Sequence, residues 1–127
     1  MQTFGKQEHL CNTIEIQRLF NEGHSFFRHP VKLIWLPGNW TGKPALKVLI
    51  SVSKRNFKKA VDRNYIKRLL RECYRRNKYI AEENLSEKTC FLALIYAGKE
   101  IPEINSLEPI IIQLLQRLIK DYETTTV

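Results

Sequence analysis

The sequence has no apolar run long enough to cross a membrane, because a spanning helix needs about 18 or more consecutive apolar residues. Its first ten residues, MQTFGKQEHL, also lack the apolar stretch of a secretory signal. We therefore expect a cytoplasmic protein. The three cysteines, Cys11, Cys73 and Cys90, are widely spaced and odd in number. This argues against a disulfide framework, and we expect reduced side chains.

Candidates for protein-based catalysis are also scarce. The three histidines form no metal-like cluster with the cysteines, so we predict no metal site in the chain. No pair of carboxylates stands out for two-metal hydrolysis, and no histidine is flanked by an orienting partner. The residues themselves therefore suggest no catalytic centre.

A length of 127 residues with 43% apolar residues suits one modest core, and we predict a single domain over residues 1–127. The helical spacing of Ile16, Leu19 and Phe20, with a cap at residue 12 or 13 and a stop at Gly23, predicts a short helix over residues 13–22. An aromatic and β-branched stretch over residues 26–36, then turn residues, then the alternating LKVLISVS predict strands that lead into a basic helix.

The second half of the chain continues the mixed pattern. A polar stretch, EENLSEKT, predicts a loop, and the apolar residues 90–97 predict a buried strand. The last helix, SLEPIIIQLLQRLIKDY, would carry Pro109 in its first turn, where no amide donor is needed. Helix, strands, helix, strand and helix in this order predict a small α+β sandwich.

Almost all of the positive charge lies in residues 54–78. This segment contains eleven Lys and Arg and two acids, a net charge of +9, whereas the remainder has ten basic and eleven acidic residues, a net charge of −1. A nearly neutral body with one dense positive segment suits binding to nucleic acid or to an anionic membrane.

Placed on a helix, the segment separates into two faces. Four cations recur four residues apart without an acid to offset their repulsion, which a helix selected only for stability would avoid. They are Arg63, Lys67, Arg71 and Arg75. The same face would extend to Lys78 if the helix persists. Three interpretations remain open: a solvated face, a nucleic-acid surface, and a membrane-surface or calmodulin-target helix whose apolar face is free. The opposite, apolar face consists of Tyr65, Ile66, Leu69, Leu70 and Cys73.

The order of residues in VSKRNFKKAVDRNYIKRLLRE, 52–72, resembles the signature of the bacterial ribonuclease P protein component. That pattern runs approximately V-S-K-K, a few residues, then A-V-x-R-N-R-x-K-R-x-x-R-E. The chain departs from it at Arg55, which replaces a lysine and keeps the charge. It also departs at Tyr65, which replaces the second arginine of R-N-R and would lie toward the apolar face. The matching residues are Val52, Ser53, Lys54, Ala60, Val61, Arg63, Asn64, Lys67, Arg68, Arg71 and Glu72.

The resemblance implies a small two-layer αβββαβα sandwich with a left-handed βαβ crossover, similar to the second domain of a small-subunit ribosomal protein. It also implies the protein subunit of ribonuclease P, which binds the catalytic RNA and the 5′ leader of precursor tRNA. The holoenzyme is an endoribonuclease that removes the leader with Mg²⁺. Its catalytic centre is expected in the RNA, which would also bind most of the Mg²⁺. The alternative is a non-enzymatic RNA-binding module, such as a ribosomal protein or RNA chaperone, with no reason to carry the ordered motif.

The resemblance also supplies expected site residues. Asn64 has two open roles, a local hydrogen bond or an RNA contact. For the leader, we predict stacking in a cleft between the first helix and the sheet, with Phe20, Ile34 and Trp35 as candidates. Phe26 and Phe27 are further candidates. A place in the core is the alternative for these two residues and for Trp35. The predicted RNA-binding residues are Lys54, Arg55, Lys58, Lys59, Arg63, Asn64, Lys67, Arg68 and Arg71.

Overall fold

The computed structural model describes residues 5–125 and builds them around one four-stranded sheet. The strand order is β1-β2-β4-β3, with antiparallel neighbours except for the parallel pair β3 and β4. A short 3-10 helix, Lys6–Glu8, precedes the other elements. These are α1 (Thr13–Glu22), β1 (His24–Arg28), β2 (Val31–Pro37), β3 (Leu46–Val52), α2 (Ala60–Asn77), α3 (Tyr79–Glu82), β4 (Cys90–Tyr96) and α4 (Ile104–Thr125).

The α+β architecture predicted from the sequence is confirmed. Because β3 and β4 are parallel neighbours, the basic helix α2 forms the crossover of a βαβ unit; the left-handed sense of this crossover stays a prediction. The stretch over residues 26–36 is a hairpin of two strands that turns at His29 and Pro30. The short helix α3 was not predicted. The last helix begins at Ile104, so Pro109 lies beyond the first turn and that placement was wrong.

Apolar side chains lie on both faces of the sheet. Helices α2 and α4 cover one face and form the main core, which contains Trp35 and Leu92. Helix α1 covers part of the other face, where Leu19 packs in a smaller cluster with Ile34 and Phe91. Helix α1 and the basic helix α2 are therefore on opposite faces of the sheet.

Helix α1 has the ends that the sequence predicts. The Asn12 side-chain oxygen accepts a hydrogen bond from the backbone N–H of Glu15 at 3.1 Å, which satisfies one of the free donors at the helix start. At the other end, a Cβ on Gly23 would lie 2.4 Å from the Leu19 carbonyl oxygen and 2.7 Å from Ile34 Cγ2. Only glycine allows the chain to pass this closely from α1 into β1.

The apolar face of α2 is used by the core. Leu70 and Cys73 have no exposed surface, and Leu69 is partly buried against the same cluster. A membrane-surface or calmodulin-target helix would need this face to be free, so that interpretation is excluded. Tyr74 is also fully buried, whereas Tyr65 is 41% exposed, which makes its predicted position toward the apolar face wrong. Within residues 5–125, no helix is long and apolar enough to span a membrane.

The cationic face of α2 is shorter than predicted. The helix ends at Asn77, and Lys78 is buried with its ammonium nitrogen 2.6 Å from Glu8 Oε1. Lys78 therefore fastens the N-terminal segment to the end of α2 and does not extend the exposed basic face.

A candidate nucleic-acid interface

The connection from β3 to α2 is held in place by hydrogen bonds from its own motif. The Asn56 side-chain amide donates to the carbonyl oxygens of Ala97 and Gly98, both at 3.2 Å. Arg63 Nη1 donates to the carbonyl oxygens of Phe57 at 2.7 Å and Lys58 at 2.9 Å. These bonds fix the loop over residues 53–59 against the start of α2. Arg63 is therefore at least a positioning residue for the loop lysines.

Seven further cations surround this loop and continue along α2. Six are exposed and Lys67 is half-buried. In the part of the chain that the structure describes, none of the seven forms an ion pair with an acid. Their charge is consequently available to an external anion. We call this set the basic surface: Lys54, Arg55, Lys58, Lys59, Lys67, Arg68 and Arg71.

The far end of α2 is electrostatically different. Glu72 accepts hydrogen bonds from Arg75 Nε at 3.0 Å and Arg76 Nε at 3.1 Å, and Arg76 also lies 3.7 Å from Glu108. The hydrogen bond from Arg75 is the largest cause that lowers the pKa of Glu72 to about 2, from an ordinary value of 4.5. Arg75 and Arg76 are thus neutralised, and the basic surface ends near Arg71. The prediction that no acid offsets the charge of Arg75 is therefore wrong.

This ion-pair cluster gives a pH-dependent prediction. Because the pKa of Glu72 is depressed in the folded state, its ionised form stabilises the fold above about pH 4.5. That stability is lost as the pH falls through about 2. Urea denaturation between pH 5 and 2 should therefore show a steeper loss of stability for the unmodified chain than for Glu72→Gln. Parallel curves for the two proteins would contradict the assignment.

Asn64 lies on the exposed side of the first turns of α2. Its side chain makes no hydrogen bond with any residue among 5–125, so the local bond offered as one alternative is not found. An exposed amide with free donors and acceptor fits the other alternative, an RNA contact.

The opposite sheet face remains partly uncovered next to α1. Phe27 pairs with Lys32, Lys32 with Ile95, and Ile95 with Ser51, which makes a row across all four strands. Phe27 is 51% exposed, and Phe20 on α1 is 45% exposed. We call this row, Phe27, Lys32, Ile95 and Ser51, the open sheet face. Lys32 was not among the predicted site residues. A turn predicted at residues 29–30 would have placed Lys32 opposite Phe27 in the hairpin.

Two of the three leader-stacking candidates are core residues. Trp35 has no exposed surface: its ring stacks on Tyr122 with centroids 4.9 Å apart, and its Nε1 donates to Asp121 at 2.8 Å. It faces α4, away from α1. Ile34 does face α1, but it is 5% exposed beneath that helix. The predictions for Trp35 and Ile34 are therefore wrong, while Phe20 remains available.

The remaining phenylalanine of β1 also belongs to the core. Phe26 is 8% exposed in the main cluster, and the guanidinium carbon of Arg117 lies 4.4 Å from its ring centroid. Neighbouring residues of a strand point to opposite faces, so Phe26 and Phe27 cannot both line one cleft. Phe27 is the one on the open sheet face.

The open sheet face and the basic surface meet at one end of the sheet. Ser51 and Ile95 are paired one position before Val52 and Tyr96, where β3 and β4 end. The basic loop follows directly after Val52. A polyanion that leaves the open sheet face at this end would therefore encounter Lys54 and Arg55 within a few residues.

The side chains that could bind a metal ion are dispersed in the described part of the chain. No group of three His, Cys, Asp or Glu side chains within residues 5–125 is placed to hold a metal ion. Burial raises the pKa of the Cys73 thiol to about 11 and also raises that of Cys90, and all three cysteines are free. Neither buried thiol is suited to act as a nucleophile or ligand.

Comparison with solved structures supports the fold. The RNase P protein of Staphylococcus aureus superimposes with a TM-score of 0.71 at 19% identity, covering 87% of this chain and 94% of that one. The RNase P protein of Thermotoga maritima gives a TM-score of 0.70 at 23% identity, covering 87% and 96%. At these identities the likeness establishes the shared fold.

Sequence comparison establishes the family. The chain matches the family model described as Ribonuclease P over residues 4–119. It is 34% identical over 110 residues to the ribonuclease P protein component of Porphyromonas gingivalis, covering 84% of this chain and 80% of the relative. It is 30% identical over 117 residues to that of Chlorobaculum tepidum, covering 84% and 76%. The chain therefore belongs to the ribonuclease P protein family, the protein component of the tRNA-processing endoribonuclease that works with an RNA partner.

Proposed function

We propose that this chain binds the catalytic RNA of ribonuclease P through its basic surface. The observation that carries the proposal is the set of seven cations without acidic partners, held on a rigid helix and a hydrogen-bonded loop. Structured RNA presents closely spaced phosphates, so fixed Lys and Arg side chains release condensed counterions and orient the RNA. Arginine can also clamp a phosphate with two hydrogen bonds. Asn64 would add a polar contact.

We further propose that the 5′ leader of precursor tRNA crosses the open sheet face. A single strand is held without sequence preference by aromatic stacking beside positive charge. Phe20 and Phe27 supply exposed rings, and Lys32 supplies the charge between them and the basic loop. The leader would then reach the catalytic RNA at the end of the sheet where the open sheet face meets the basic surface.

Under this proposal the protein positions RNA and the catalytic centre lies in the RNA. Mg²⁺ would be bound mainly by RNA phosphates and would supply Lewis-acid chemistry there. In this proposal the residues of this chain bind and orient the RNA and neutralise its phosphates. A cytoplasmic location, where precursor tRNA is processed, fits the three free thiols.

Reconstitution tests the proposed function. Purified protein added to the catalytic RNA at low Mg²⁺ should increase cleavage of precursor tRNA at the mature 5′ end, and the protein alone should show no cleavage. Robust 5′ maturation by the protein without RNA would contradict the placement of catalysis. RNA binding without any effect on cleavage would favour the alternative, a non-enzymatic RNA-binding module.

Replacing Phe20 or Phe27 with alanine tests the leader path. A stacked base contributes about 1–3 kcal/mol, so each variant should lose roughly 5- to 150-fold of the holoenzyme's affinity for precursor tRNA. Affinity for mature tRNA, which has no leader, should stay unchanged. Ile14→Ala is the matched control, because Ile14 is 76% exposed on the same helix as Phe20. Equal losses for precursor and mature tRNA would exclude a leader contact.

A further inference from the structure

Two apolar side chains are exposed within the basic part of α2. Val61 is 77% exposed, and Tyr65, one helical turn later, is 41% exposed. The core does not use them, because the neighbouring buried positions of this helix are Ile66 and Leu70. An exposed aromatic ring between cations is the kind of surface with which proteins stack on unpaired nucleic-acid bases.

The ring of Tyr65 has a defined partner. The guanidinium carbon of Arg68 lies 5.3 Å from its centroid, within the range of a cation–π contact. Arg68 is three residues further along the helix, so the two side chains are neighbours on one face. This contact favours the ring orientation that the structure shows. The exposed remainder of the tyrosine faces outward.

The chemistry of this position differs from a phosphate contact. The aligned family signature has an arginine here, which would add one more positive charge to the surface. Tyrosine adds no charge, but its flat ring offers stacking, and Arg68 beside it offers a second flat group that stacks on bases. The exposed neighbours of Tyr65 on the helix are Val61, Asn64 and Arg68, and Arg68 supplies the positive charge that favours a polyanion.

We propose that Tyr65 and Arg68 together form a stacking platform for an unpaired base of the catalytic RNA. The platform lies on α2, which covers the sheet face opposite α1, so its ligand is the catalytic RNA and not the leader. The inference rests on the proposed function. It adds one stacking contact to the electrostatic contacts of the basic surface.

Affinity for the catalytic RNA alone, measured as a function of salt, tests the platform. Tyr65→Ala should weaken binding by roughly 5- to 150-fold while the slope of log affinity against log salt stays unchanged. Tyr65→Phe, which keeps the ring, should bind as the unmodified protein does. Tyr65→Arg should recover affinity at low salt and steepen the slope by about one. Tyr79→Ala is the control, because Tyr79 is also 41% exposed but lies beyond the end of α2.

Specific results would overturn the platform. If Tyr65→Ala binds as well as the unmodified protein, no base stacks there. If Tyr65→Phe loses as much as Tyr65→Ala, the hydroxyl contacts a phosphate and stacking is wrong. If Tyr65→Ala leaves the affinity for the catalytic RNA unchanged but reduces capture of a protein in a pull-down, Tyr65 contacts a protein partner and the platform is wrong. The proposed function fails separately, if the unmodified chain shows no salt-dependent binding to the catalytic RNA.

Discussion

Replacing Arg68 and Arg71 together with alanine should weaken binding to the catalytic RNA by roughly 100-fold. Each arginine is exposed and has no acidic partner within residues 5–125. A hydrogen bond to a charged group contributes about 1.5 kcal/mol or more, which corresponds to roughly tenfold in affinity for each residue. The slope of log affinity against log salt should fall by about two, since two condensed counterions fewer are released.

The matched control is a cation outside the basic surface. Arg68→Ala and Lys120→Ala change the net charge equally, and both residues are exposed on helices. Lys120 lies two residues before Tyr122, whose hydroxyl donates to the Thr89 carbonyl oxygen beside the start of β4. The basic loop lies at the other end of that strand. Lys120→Ala should leave the salt slope almost unchanged, and equal slopes for both variants would show a contribution from net charge only.

Trp35→Ala should reduce the free energy of unfolding by about 3–5 kcal/mol, the range for truncating a large buried aromatic residue. The ring is fully buried, stacks on Tyr122 and donates to Asp121. Its removal leaves a cavity between the sheet and α4 and an acceptor without its donor. Urea denaturation would measure the loss. A loss of this size is a large part of the free energy of unfolding of a small domain. The measurement should therefore be made at low temperature, where the variant is folded.

Trp35→Phe separates a core role from a leader-binding role. Phenylalanine keeps most of the packing but removes the hydrogen bond to Asp121, so the loss of stability should be smaller. If Trp35 is only a core residue, the folded Trp35→Phe protein should bind precursor and mature tRNA with unchanged preference. If the folded Trp35→Phe protein loses its preference for precursor over mature tRNA, Trp35 contacts the leader. Phe20→Ala should show the opposite pattern, a small effect on stability and a large effect on the leader.

The basic motif shows which features of the structure can be predicted from local sequence patterns. The extent of α2, the cap of α1 at Asn12 and the concentration of charge follow from patterns within a few residues of one another. Helical spacing predicted that Leu70 and Cys73 are buried, and both are. The sequence identified Arg63 and Glu72 as members of the motif but did not predict their contacts. Arg63 bonds the loop and Glu72 neutralises two arginines, roles that depend on side-chain geometry in the folded helix.

Strand β2 shows what the sequence could not decide. Leu33, Ile34, Trp35 and Leu36 are all apolar and all buried, because helices lie on both faces of the sheet at this position. Alternation establishes only that neighbours point to opposite sides. Which side faces α1 depends on the packing of α1 and α4, which are distant in sequence.

The sequence by itself determined the family motif, the order of the main helices and strands and the sign of the charge on the basic surface. Each of these depends on local spacing or on charge. Only the tertiary structure decided which residues are exposed on the proposed RNA-binding surfaces. Long-range packing turned Trp35 inward and Phe27 outward, and it paired Lys78 with Glu8. It also left Tyr65 exposed beside Arg68. These outcomes depend on contacts between residues far apart in the chain, which no local pattern encodes.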